Sequence, residues 1–142
     1  MIEYENETTL YIDIAPLEVI ASTLTDATIE LIIIESEAMQ SLNLTYRKID
    51  APTDVLSFPL ERPISQMPLG AIVVCESLIR EKALLLGHSE QAEISLLFIH
   101  GLLHLLGHDH ESDNGEMRSK EEELIRTFGL PASLIVRTQE DT

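Results

Sequence analysis

The chain of 142 residues has 25 acidic and 9 basic side chains, a formal charge of −16, 44% apolar residues and a single cysteine. This composition is globular rather than disordered, leaves no internal disulfide framework, and argues against broad, non-specific binding to nucleic acid or an anionic membrane. With no tryptophan and 4% aromatics, a base-stacking aromatic platform is not expected either.

The length predicts one domain over residues 1–142. The opening run Met-Ile-Glu-Tyr-Glu-Asn-Glu lacks the basic and apolar regions of a signal peptide, so a reducing cytoplasm is the expected compartment. Thr9 to Ile14 alternates apolar and polar residues and predicts a short strand. Pro16 suits a first helical turn, and Leu17, Ile20, Ala21 and Leu24 share a face of the helix that follows. Ile29 to Ile34 reads as a buried strand. Ser36 is the predicted N-cap of a helix carrying Met39, Leu42, Leu44 and Tyr46.

Val55 to Phe58 predicts a strand ended by Pro59, and residues 59–69, with three prolines, predict an irregular loop. Ala71 to Cys75 is the next buried strand, with Cys75 read as core. Ser77 to Leu86 is helical, stopped near Gly87. Ser89 opens a long helix to about Leu106, closed by Gly107, and a last helix runs from about Asn114 to Phe128. The longest apolar stretch, Ile94 to Leu106, is too short to span a bilayer and is broken by Ser95, His100, Gly101 and His104. The order β-α-β-α-β-β-α-α-α predicts an α/β (α+β type) fold: a small mixed sheet of about four strands packed with helices.

Four of the five histidines fall within residues 100–110. His100 and His104 are four apart on the most apolar predicted helix, so their rings project from one face. Gly107 can end the helix in the left-handed conformation, and His110 can then return to the same point. His-x3-His-x5-His offers three nitrogen ligands and an open fourth position, as catalytic zinc requires. Buried imidazoles without partners would be costly on such a helix, and a metal removes that cost. His108 reads as a neighbour of the site or exposed, Asp109 as a group orienting a ligand ring, and His88 as surface. The spacing matches metzincin proteases, but Gly101 stands where those carry their general-base Glu, which disfavours a metallopeptidase.

His100-Gly-x-Leu-His104-Leu-x-Gly107-x-Asp109-His110 resembles the signature of the YbeY family of bacterial endoribonucleases, or rRNA maturation factors. Leu42-Asn43-x-x-Tyr46-Arg47-x-x-Asp50-x-Pro52-Thr53-Asp54-Val55-Leu56-Ser57-Phe58-Pro59 is similar to the family's other block, and Leu69-Gly70-x-Ile72 follows as expected. Ala71 and His108 stand where the family usually has Asp and Tyr. The resemblance implies one zinc ion per chain on a central helix and single-strand-specific cleavage of RNA, not DNA. It also implies 3′-end maturation of small-subunit rRNA, ribosome quality control and a cytoplasmic location. Its partners would be small-subunit ribosomal proteins and an assembly GTPase, with no membrane.

Arg47 falls on a position the family associates with activity, and its guanidinium could fork onto a phosphate. Thr53, Asp54 and Ser57 could shape the cleft. The leading expectation is a zinc-dependent endoribonuclease with His100, His104 and His110 as ligands and Arg47 as a catalytic group. The alternative is a zinc-stabilised ribosome assembly factor acting mainly by binding, which the strong acidity would suit.

Overall fold

A computed structural model describes residues 1–61 and 67–134. Within them the chain forms β1 (Ile2–Asn6), α1 (Ala15–Leu24), β2 (Ile29–Ile34), α2 (Ser36–Arg47), β3 (Val55–Pro59), β4 (Gly70–Cys75), α3 (Glu76–Leu86), α4 (Glu90–Leu105) and α5 (Glu116–Thr127). The sheet order is β1-β2-β4-β3. Strands β1, β2 and β4 run parallel, and β3 returns antiparallel along β4. The result is the mixed four-stranded α+β arrangement that the element order predicts.

The two inner strands are apolar on both faces, for a reason visible in their contacts. Ile29, Leu31 and Ile33 of β2 and Ile72 and Val74 of β4 enter the main core with Leu17 of α1, Phe98 of α4 and Met117 of α5. The alternate residues Ile34, Val73 and Cys75 enter a second core with Met39 of α2 and Leu56 of β3. Each large aliphatic side chain so buried contributes roughly 1.5–3 kcal/mol. The same alternation divides β3: Leu56 and Phe58 turn towards α2, and Val55 packs on the main core.

Helix α4 lies on the main-core face of the sheet and packs against β3, β4, α1, α3 and α5. This explains its apolar character on nearly every side. Ser89 caps it, its Oγ accepting from the Ala92 N–H at 3.0 Å. Helix α3 stops at Gly87, whose φ of 73° is the left-handed turn predicted there.

The strand predicted at Thr9–Ile14 is absent. Leu10 and Ile12 do turn inward, which accounts for the alternation, but the edge of β2 is already taken by Ile2–Asn6. Asn6 then turns the chain: its Nδ2 donates to the Leu10 carbonyl at 2.6 Å and its Oδ1 accepts from the Thr8 N–H at 2.9 Å. Residues 9–14 cross the start of α4 instead, where the Asp13 N–H donates to Gln91 Oε1 at 2.8 Å. Ser36 is not a cap but the first helical residue of α2, behind an extended Glu35. Pro59 belongs to β3, opposite Gly70. Of the predicted 59–69 loop, residues 62–66 lie outside the described residues.

A Cβ on Gly70 would lie 2.5 Å from the Phe58 carbonyl oxygen and 2.7 Å from Leu105 Cδ2. The first obstacle is backbone in a paired strand and cannot move aside. Gly70→Ala is therefore expected to destabilise the fold by about 2–3 kcal/mol, read as a lower urea midpoint with an unchanged slope.

Candidate metal centre

The end of α4 fixes the first two histidines. His100 and His104 lie one turn apart, with ring centroids 4.7 Å from each other. The helix then closes in a Schellman turn: the His108 N–H donates to the Leu103 carbonyl and the Gly107 N–H to that of His104, each at 3.0 Å. This requires a left-handed residue, and Gly107 supplies it with a φ of 100°. The chain doubles back, and the His110 ring comes to 5.4 Å from both of the others. One nitrogen from each of the three rings lies within 4.8 Å of the other two.

Hydrogen bonds on the far side of the rings decide what this triangle presents. His104 Nδ1 lies 3.0 Å from the His108 carbonyl oxygen, which can only accept, so Nδ1 carries the proton. His100 Nδ1 lies 2.6 Å from Glu121 Oε1, an acceptor likewise. The two Nε2 atoms, 3.2 Å apart, therefore face each other with lone pairs when the rings are neutral. Such an arrangement wants a cation between the nitrogens. A proton suits it poorly: burial first, and the charge of nearby His100 next, hold the His104 pKa below its ordinary 6.5. His110 Nδ1 is buried with no hydrogen-bond partner among the described residues. Two rings held in one tautomer and a third with an orphaned ring atom fit a divalent ion with an open fourth position.

The histidines form the floor of a cleft of about 630 Å³. Thr53, Asp54, Val55 and Ser57 line one side, Asp109 and Glu111 another, and Arg47, at the end of α2, also borders it. Ser57 ties the strand wall to the helix, its Oγ donating to the Gly101 carbonyl at 3.2 Å. A Cβ on Gly101 would sit 2.8 Å from Ile72 Cγ2, so the position of the missing protease base is pressed against β4 and has no room for Glu.

Three expectations are refined. Glu121, not Asp109, holds a ring of the triangle; Asp109 Oδ1 accepts instead from the Glu111 N–H at 3.1 Å. Glu121 was open to discovery, because it falls on the stripe of Met117, Leu124 and Ile125 that α5 buries. His108 contributes its carbonyl, while its side chain lines a separate shallow pocket with Lys120. His88 is not on the surface: its side chain is 1% exposed, 2.8 Å from both Glu93 Oε1 and Ser133 Oγ. Cys75 is core, as expected, with its Sγ 3.4 Å from Ser77 Oγ.

A family model described as Endoribonuclease YbeY matches residues 3–129. A protein of Sulfurovum sp. (strain NBC37-1) named Endoribonuclease YbeY is 58% identical over 142 residues, covering 96% of this chain and 97% of its own. One of the same name from Campylobacter jejuni (strain RM1221) is 60% identical over 125 residues, covering 88% and 93%. The solution structure of TM1509 from Thermotoga maritima matches with a TM-score of 0.61 at 28% identity, over 90% of this chain and 89% of that one.

Glu121→Ala should keep the fold but weaken divalent-metal affinity about 10–100-fold, measured by competition with a chelating dye. Glu121→Gln, which keeps an acceptor oxygen, should lose less. A pH effect follows for metal-free protein. His104 takes a proton less readily folded than unfolded. Stability should therefore fall as the pH drops below about 6.5, and the loss should end below the lowered folded pKa. Urea titrations across that range should show a shallower fall for His104→Asn.

Proposed function

This chain belongs to the Endoribonuclease YbeY family, and from that premise we propose that it is a zinc-dependent endoribonuclease of single-stranded RNA. In this reading it matures the 3′ end of small-subunit rRNA and acts in ribosome quality control in the cytoplasm. The observation that carries the reading is the convergence of His100, His104 and His110 on the floor of a cleft that Arg47 also lines. The three rings would hold one zinc ion. When bound, zinc supplies a Lewis acid for a phosphoryl oxygen and acidifies a coordinated water.

The protein's own residues do the rest. Glu121 and the His108 carbonyl hold two rings in the tautomer that aims Nε2 inward. Arg47 is exposed and has no salt bridge among the described residues. It is free to fork onto the scissile phosphate and neutralise charge as the phosphorane forms. Asp54, Asp109 and Glu111 border the same cleft. They repel a phosphate backbone, and a carboxylate among them is placed to accept a proton.

The acidity of the chain favours a companion reading in which small-subunit ribosomal proteins and an assembly GTPase deliver the RNA. A charge of −16 cannot build a long phosphate track. A chain that only bound and stabilised assembly intermediates would have the same zinc site. Cleavage of a defined single-stranded RNA with and without chelator separates the two.

Arg47→Ala should leave zinc content and thermal stability unchanged and lower RNA turnover by about 10²–10³-fold, the scale of losing one preorganised charge donor. Arg47→Lys should recover only part of it, since an ammonium cannot make the bidentate fork. His104→Ala should lose the metal by elemental analysis. For attack by water rather than by the RNA's own 2′-OH, a 2′-deoxy residue at the cut site should be tolerated. End-group analysis should then find no 2′,3′-cyclic phosphate.

A further inference from the structure

Next in sequence to cleft residues stands a pair of rings that do not line the cleft themselves and that the metal chemistry does not use. Tyr46 precedes Arg47 on the last turn of α2, and Phe58 lies on β3 between Ser57 and Pro59. Arg47, Ser57 and Pro59 all line the cleft, so both rings are flanked in sequence by cleft residues. The rings meet edge to face, centroids 5.1 Å apart at 69°. Phe58 is partly buried on the smaller core beneath. Tyr46 is held by that contact and is still 64% exposed.

An exposed aromatic normally needs no explanation, and Tyr11 is more open still at 86%. The two differ in place. Tyr11 belongs to the segment bonded to Gln91 at the start of α4. That is on the order of 20 Å along the helix from His104. Tyr46 directly precedes in sequence the residue whose guanidinium is the one that borders the cleft among the described residues.

We infer that Tyr46, propped on Phe58, is a stacking platform for one unpaired nucleobase, next to the phosphate that Arg47 holds. The inference rests on the reading of the cleft as an RNA site and adds what that site grips. Affinity from charge is scarce here, with −16 overall and three carboxylates on the cleft wall. Stacking does not depend on charge, and losing one aromatic–base contact typically costs about five- to a hundredfold in binding. It tolerates any base, because every base has a π face, and a purine gains more by its larger area. It also requires a base that is out of a duplex. A single Tyr–Phe step thus supplies a physical preference for single strands that the histidines and Arg47 cannot, since a phosphate looks alike in both. The low aromatic content excludes a row of rings but leaves room for one.

The test uses the full chain as purified. Short single-stranded RNAs carry 2-aminopurine at successive positions, and stopped-flow fluorescence reads binding before cleavage. A parallel set carries one abasic nucleotide at the same positions. Wild type should quench one position, and removing that base should weaken binding about tenfold. Tyr46→Phe should behave like wild type. Tyr46→Leu, which keeps apolar packing on Phe58, should lose the quenching and become indifferent to base removal, while Arg47→Ala should bind more weakly with its base dependence intact. RNA that binds and is cut with no quenched position in wild type, or with the same abasic penalty in wild type and a folded Tyr46→Leu, overturns the platform and leaves the endoribonuclease reading standing. No binding and no cutting by wild type overturns both.

Discussion

From Ala92 to Leu105 helix α4 is buried except at His100 and His104, which are half-buried where it borders the cleft. The inner side of each ring faces protein and must find its hydrogen bond there. Each has one acceptor behind it, a carboxylate from α5 or a carbonyl from the turn after α4. With those taken, the remaining nitrogens converge on each other and on His110 at the cleft. The packing behind α4 thus fixes which nitrogen of these two rings is left for the cleft. The site is a consequence of the core, not an addition to its surface.

Two further constraints keep that geometry in place. Gly101 lets the helix approach Ile72 closely enough for Ser57 to bond its carbonyl, and this joins the strand wall of the cleft to its floor. At the other end, Asp113 secures α5, its carboxylate accepting from the Met117 and Gly115 N–H groups at 2.9 and 2.8 Å. Those two bonds hold its pKa below the ordinary carboxylate value. Glu121 therefore reaches His100 from a helix whose first turn is itself anchored.

What was legible in the sequence was whatever depended on near neighbours. The spacing of His100, His104 and His110 around Gly107 is a local statement about one helix and its stop, and it carried the site. The apolar runs of β2 and β4 were legible because both faces of an inner strand are buried. β1 was not, since Glu3, Tyr4 and Glu5 are exposed and only parallel pairing with β2 makes it a strand. The inward-turned Leu10 and Ile12 gave a stronger pattern in a segment that joins no ladder. Glu121, the Ser133 partner of His88 and the Tyr46–Phe58 contact all depend on residues brought together from separate elements of the chain. Of these only Glu121 left a mark in the sequence, as a carboxylate on an apolar stripe.

The close contact at Gly101 has a bearing on how this scaffold can change. Its ligand spacing is that of a peptide-cutting enzyme, and on paper a single codon, at Gly101, separates the two. On the folded molecule the step is blocked, because any side chain at 101 meets Ile72 before it reaches the cleft. A Glu there would need a smaller residue on β4, and that second change, made first, would open a void in the main core. Each intermediate is less stable than either end. Two chemistries that look adjacent in sequence are therefore separated by a valley in stability, and the packing of one glycine against one isoleucine sets its depth.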